Sequence, residues 1–305
     1  MNPTSADRPL AFVDAHHHFQ DISHHLYPWL TDQDAPAKLE GDLGPIRRDY
    51  LPADYADDVA SGTVTKTVHV QNGWDPRDPA GETRWLQNLA ETVGRPTAIV
   101  AYADLADPAV ERLLAAHAEA PALRGIRQIL NWHEEPWLRT APSPDLMSDA
   151  NWRRGFALLR RFGLSFDLQV YWPQMDQALA LARAFPDTWL ILDHFGMPID
   201  RSRTGLAHWG AAIARLAQAP NVAVKLSGFG LGHPGWTIED TVPLLLQAID
   251  VFGPKRSMVG TNLPVDRLFA HGREIVGAIT ASVAGLSETE REAVLCGTAE
   301  RIYRI

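Results

Sequence analysis

Short apolar runs alternate with amphipathic stretches along the whole of this chain. The runs fall at 11–17, 64–71, 98–105, 123–130, 164–170, 189–194, 222–228 and 257–263, each of strand length. Between them, apolar positions recurring at helical spacing predict helices over 53–61, 82–93, 108–118, 151–162, 174–185, 205–218, 238–252 and 272–284. Asp107-Pro108 reads as an N-cap with proline in the first turn, and Ser287 with Glu290 matches a capping box. That box opens a ninth helix over 288–303.

Eight strands alternating with eight helices imply a parallel sheet, and eight such units close into a (β/α)8 TIM barrel of class α/β. A doubly wound open sheet is the alternative, but no Gly-rich phosphate loop follows the first strand. No linker is visible, so residues 1–305 read as a single barrel domain with an extra C-terminal helix. The longest irregular segments, 19–49 and 131–149, follow the first and fourth strands. Loops after strands form the C-terminal mouth of a barrel, where active sites are built.

Side-chain alternation on a strand places His16 and His18 on one face and His17 on the other. Two imidazoles at a strand end can grip one metal ion or polarise one substrate carbonyl. Asp14 is expected on the same face, one step deeper. By the same alternation His69 shares a face with Gln71, Gly125 with Arg127, Asp167 with Gln169 and Lys225 with Ser227, each pair expected to look into the barrel with the histidine pair. The sixth run ends at His194, which supplies a third imidazole; Asp193 should then face the helices. The eighth run ends at Asn262, with Asp266 just beyond, where it either turns inward or caps the next helix. Trp29, Trp74, Trp132 and Trp236 fall in mouth loops and could stack on a ring, whereas His24, His25, His133 and His233 read as solvated.

Composition narrows the partners. At 305 residues and 46% hydrophobic, the chain can bury a large core. A formal net charge of −9 with no Lys/Arg cluster argues against nucleic acid. No apolar run approaches a membrane span, and the first nine residues lack a basic-then-apolar leader, so a cytoplasmic location is expected. The one cysteine, Cys296, allows no intrachain disulfide and reads as a small buried residue of the last helix. The partner expected is a small molecule; a homo-oligomer stays open.

Several segments in order carry a resemblance. They are Asp14-Ala15-His16-His17-His18-Phe19, Tyr27-Pro28-Trp29-Leu30, His69-Val70-Gln71 with Trp74-Asp75-Pro76, and Arg124-Gly125-Ile126-Arg127-Gln128. Phe166-Asp167-Leu168-Gln169, Asp193-His194-Phe195-Gly196, Lys225-Leu226-Ser227-Gly228 and Gly260-Thr261-Asn262-Leu263-Pro264-Val265-Asp266 complete the set. The chain resembles the amidohydrolase superfamily, in particular its amidohydrolase-2 branch of L-fuconolactonase, L-rhamnonolactonase and 2-pyrone-4,6-dicarboxylate lactonase type hydrolases. The resemblance implies a distorted barrel and a hydrolase of carbohydrate or aromatic catabolism, opening a sugar-acid or carboxylated lactone. It puts the branch's histidine pair on His16 and His18 and its later histidine on His194. The usual last-strand aspartate falls on Asn262, a departure from the common pattern.

On this reading His16, His18 and His194 polarise the lactone carbonyl, or hold a single divalent ion, zinc being the first choice; a metal-free site is the other possibility. Asp266 is the expected base and Asn262 positions the water. Arg127 would clamp a carboxylate of an anionic substrate, with Gln71, Gln169, Trp29, Trp74 and Trp132 completing a pocket suited to an anionic or polyhydroxylated ligand. The rivals are a metal-dependent nonoxidative decarboxylase of the same superfamily and a non-catalytic binding protein on the same barrel.

Overall fold

The computed structural model describes residues 10–32, 39–59 and 63–305. Eight parallel strands run in sequence order: β1 Phe12–His17, β2 Val64–Val70, β3 Ala98–Tyr102, β4 Leu123–Ile129, β5 Ser165–Gln169, β6 Leu190–Leu192, β7 Val222–Leu226 and β8 Ser257–Val259. Beyond the end of β8, Asn262 N–H donates to the His16 carbonyl and His18 N–H to the Leu263 carbonyl, each at 2.7 Å. Those bonds lace the eighth strand to the first and nearly close the barrel.

The interior is lined by small and branched side chains from alternate positions: Val13, Ala15, Val68, Val70, Ala98, Val100, Ile191, Ala223 and Met258. A larger apolar layer, including Phe156, Phe166, Trp152, Leu192 and Leu245, lies between the sheet and the helices around it. This is the two-layer burial of a TIM barrel, in which strands are apolar on both faces.

A short helix, α1 Pro28–Thr31, falls in the segment expected to be irregular; the others follow the expected order: α2 Pro52–Val59, α3 Pro79–Val93, α4 Val110–His117, α5 Ala150–Arg161, α6 Met175–Ala184, α7 Arg203–Leu216, α8 Ile238–Phe252 and α9 Gly272–Val283. The chain ends in α10 Glu288–Glu292 and α11 Thr298–Tyr303, joined by a wider π turn over Ala293–Gly297. The Ser287/Glu290 capping box forms as expected, with Ser287 N–H on Glu290 at 3.0 Å. Asp107 does not cap α4. It closes a turn instead, its carboxylate accepting Ala109 N–H at 2.7 Å, and the helix begins later, at Val110. The expected end of α2 at residue 61 lies outside the described residues. Strands β6 and β8 stop at three residues each because the chain turns sharply into left-handed backbone at His194 (φ 53°), Phe195 (φ 41°) and Asn262 (φ 55°).

The last helix plugs the N-terminal floor of the barrel. Ala299, Ile302 and Tyr303 pack against the interior side chains, and Glu300 pairs with Lys66 at 2.7 Å. Cys296 is half-buried on the π turn, its Sγ 3.8 Å from the Ala11 carbonyl. No helix among the described residues is long and apolar enough to cross a membrane.

Candidate active site

Strand β1 does not keep strict alternation. Its pairing with β2 slips between Asp14 and His17, so Ala15 and His16 both reach the interior. Asp14 is thereby turned away from the site, contrary to the expectation. Its carboxylate accepts from Tyr55 Oη at 2.7 Å, Thr261 Oγ1 at 2.6 Å and Thr261 N–H at 2.9 Å. His17 points into the helix layer among Phe19, Tyr55 and His69. Contrary to expectation, His69 also faces outward, taking Phe19 N–H on Nδ1 at 3.0 Å, while Gln71 reaches the cavity beyond the end of β2.

The three expected imidazoles converge. Ring centroids lie 5.1 Å apart for His16 and His18 and 4.6 Å for His16 and His194. His18 Nδ1 bonds the Val70 carbonyl at 2.7 Å, and its Nε2 lies 3.3 Å from the Asn262 carboxamide. His194 Nδ1 meets Ser227 Oγ at 3.0 Å. Burial keeps all three uncharged: His16, with Lys225 beside it, and His18, with Arg127 near, are held well below the usual histidine range, and His194 falls to about 3.

Asp193 also joins this cluster, which alternation from His194 had sent toward the helices. Ile191 is the inward residue of β6, so Asp193 follows it inward, and the left-handed turn after it swings His194 in as well. One of its carboxylate oxygens lies 3.3 Å from His16 Nδ1 and 3.2 Å from Lys225 Nζ; the other is 3.8 Å from Arg127. Burial works most strongly to raise its pKa, but Lys225, His16 and His194 together outweigh it and hold Asp193 well below the usual carboxylate range. Lys225 pairs with Asp167 as well, and the Asp167 carboxylate accepts from Tyr303 Oη at 3.0 Å. Burial against Lys225 leaves Asp167 near 6.

These donors fit a metal. His16, Asp193 and His194 each offer an atom within 4.8 Å of the others, two imidazoles and a carboxylate of the kind zinc takes. His16 Nε2 is buried without a hydrogen-bond partner, and Asp193 has only its ion-pair contacts to His16, Lys225 and Arg127, which leaves ligand atoms for a cation. Asp193 replaces His18 in the expected set, because His18 lies outside the group whose ligand atoms come within 4.8 Å of one another. The Lys225 ammonium competes for the same carboxylate.

Above the cluster opens a cavity of about 580 Å³. His18, His194, Asn262, Arg127, Gln71 and Gln169 line its floor, and Trp29, Trp74 and Trp137 its rim. Trp132, expected there, instead lies under Arg139 at 5.0 Å, and Trp236 packs on Phe229. His25 stacks on Trp74 at 4.4 Å. Arg127 donates to Gln169 Oε1 at 3.0 Å and to the Gln71 carbonyl at 2.6 Å. Asp266 neither caps a helix nor lines the cavity. It is fully buried behind Asn262, accepting from the Phe229 N–H at 2.9 Å, with its other oxygen 2.9 Å from the Asn262 carboxamide.

Residues 13–305 match the Amidohydro_2 family of amidohydrolases. The chain belongs to that family. It is 42% identical to the uncharacterized protein y4mH of Sinorhizobium fredii, over 97% of this chain and 99% of that one. It is 30% identical to an L-fucono-1,5-lactonase of Burkholderia multivorans, over 96% of each. A crystal structure of an amidohydrolase from Burkholderia multivorans with bound zinc superposes with a TM-score of 0.79 at 30% identity, covering 97% of this chain and 99% of that one. A 2,6-dihydroxybenzoate decarboxylase from Rhizobium, at 14% identity and a TM-score of 0.65 over 97% and 99%, shares the fold alone. This amidohydrolase is thus an enzyme. Sequence reasoning missed Asp193 and Trp137: the first hides in a turn that breaks alternation, the second in an irregular mouth loop without periodic signal.

Proposed function

We propose that this amidohydrolase is a lactonase that opens a neutral, polyhydroxylated lactone of the L-fucono-1,5-lactone kind by attack of water on the ring carbonyl. The observation that carries the reading is the meeting of three buried imidazoles, two of them on the floor of a ring-sized cavity, in a chain with lactonase relatives. Charge favours the neutral substrate. Arg127, the one guanidinium among the described lining residues, is already bonded to Gln169 and Gln71 and faces Asp193. Asp104 also lines the cavity and would repel an anionic ligand. The indole faces of Trp29, Trp74 and Trp137 suit the apolar face of a sugar ring, and Gln71 and Gln169 suit its hydroxyls.

In this reading His18 Nε2 takes the proton of the attacking water, since Nδ1 is committed to the Val70 carbonyl. His194 and Asn262 face the developing oxyanion. Zinc, when bound by His16, Asp193 and His194, supplies Lewis-acid polarisation of the carbonyl. The neutral pocket and Asn262 at the last strand disfavour the decarboxylase alternative.

The test is acid release, followed with a pH indicator, from a panel of aldonolactones including L-fucono-1,5-lactone, beside 2-pyrone-4,6-dicarboxylate and 2,6-dihydroxybenzoate. Turnover is expected with the neutral lactones. Carbon dioxide release from the benzoate, with no lactone opened, would move the chain to the decarboxylases.

A further inference from the structure

We infer that Asp104 is a specificity residue of the cavity. Its carboxylate accepts the hydrogen of a substrate hydroxyl, so the pocket selects a ring bearing a free hydroxyl over one that lacks it. Backbone N–H, indole N–H and guanidinium groups only donate, so the side-chain atom that meets one of them is an oxygen. Trp152 Nε1 and Leu105 N–H meet Gln128 at 2.8 and 3.2 Å and thereby fix its carbonyl oxygen. The NH2 group of Gln128 is then turned onto Asp104 Oδ1 at 3.0 Å, where Ala106 N–H also donates at 3.0 Å. These two donors occupy Oδ1 and hold the carboxylate in place. Oδ2 takes no hydrogen bond from the described residues, and Asp104 stands partly exposed on the cavity wall just past β3. It is an anchored acceptor with an oxygen to spare.

The floor has the opposite polarity. Gln71 Oε1 accepts Gly73 N–H at 2.9 Å, and Gln169 Oε1 accepts from the Arg127 guanidinium at 3.0 Å. Each carboxamide therefore has its oxygen committed and its NH2 group left over. Neither NH2 group has a partner among the described residues, although both side chains are buried and line the cavity. The cavity thus offers carboxamide donors at its floor and a carboxylate acceptor on the β3 side. A ligand made only of acceptors satisfies the first and strips water from Asp104 without replacing it, which is costly for a charged group. A ring carrying both a carbonyl and hydroxyls satisfies the two together. That this ring is a lactone rests on the lactonase reading; the pattern of donors and acceptors does not.

Asp104→Asn is the telling variant. The donors around Oδ1 hold the new carboxamide oxygen in the same place and send an NH2 group where the spare acceptor was. The anchor of the turn after β3 is kept and only the acceptor is lost. Binding is read without turnover, by calorimetry and ligand-observed NMR, using the 1,5-lactam of L-fuconic acid and 2-piperidone, the same ring without hydroxyls. The Kd of the hydroxylated lactam is expected to rise about tenfold in the variant, the difference between a charge-assisted and an ordinary hydrogen bond. The Kd of 2-piperidone should stay where it is. An unmoved hydroxylated lactam returns Asp104 to a mere anchor of its turn and overturns the proposal, as does an equal rise for both lactams. Wild-type protein that binds the two alike, or neither, overturns it without any variant. In turnover, the ratio of kcat/KM for L-fucono-1,5-lactone over δ-valerolactone should fall by the same factor. If the lactams behave as expected and no lactone is opened, the lactonase reading fails and Asp104 keeps its role.

Discussion

His194 is held by what its neighbours lack. Gly228 has φ +69°, and a Cβ there would sit 2.4 Å from His194 Nδ1. Gly260 makes the same room for His16, whose Cβ would be 2.7 Å away. Gly228→Ala should therefore cost about 1–3 kcal/mol in stability through left-handed strain and overpacking. It should also lower lactone turnover at least tenfold by displacing the ring, a rough expectation from misplacing a reacting group; urea denaturation and steady-state kinetics check the two together. Wild-type turnover in that variant would free His194 from the chemistry. At this scale the sequence was legible wherever alternation held: His16, His18, Arg127, Gln169 and Lys225 all look inward. It misled at Asp14 and Asp193. A slipped pairing in β1 and a left-handed turn after β6 reverse parity there, and neither has a periodic signature.

At the scale of elements, eight strand and eight helix positions followed from hydrophobic periodicity because each is buried on a regular face. The ends of β6 and β8 did not, since side-chain and backbone bonds at the mouth, not apolar patterning, decide where those strands stop. The closing helix, foreseen only as an extra one, turns out to carry a polar contact into the barrel. Tyr303 Oη donates to both oxygens of Asp167, at 3.0 Å each, beneath the buried Lys225. Tyr303→Phe leaves that carboxylate short of a donor in a dry interior. The expected cost is about 1–3 kcal/mol in urea denaturation; no loss would mean that Lys225 satisfies Asp167 by itself.

Across the whole molecule, buried titratable groups set the response to acid. Burial lowers the pKa of His16, His17, His18, His69, His117 and His194, so the unfolded chain takes up protons that the native one refuses. Their contribution is present above the ordinary histidine pKa, about 6.5, and is lost as pH falls through it. Asp14, Asp167 and Asp266 are raised by burial and act with the opposite sign, losing stability as pH rises toward their folded values. Six imidazoles against three carboxyls leave the imidazoles in control. Tm should drop by roughly 5–10 °C between pH 7 and pH 5. Calorimetry across that interval is decisive, and a flat or rising Tm would contradict the burial pattern.

The interlocked ions at the base, Lys225 with Asp167 and Asp193, tie the strands together beneath the cavity, whereas Trp29, on the short α1, and Trp74 and Trp137 ride on the connections that follow the strands. Re-targeting this catalyst is accordingly a matter of grafting new loops. Natural divergence in what it accepts should be written in the rim, while the foundation tolerates almost no rewriting.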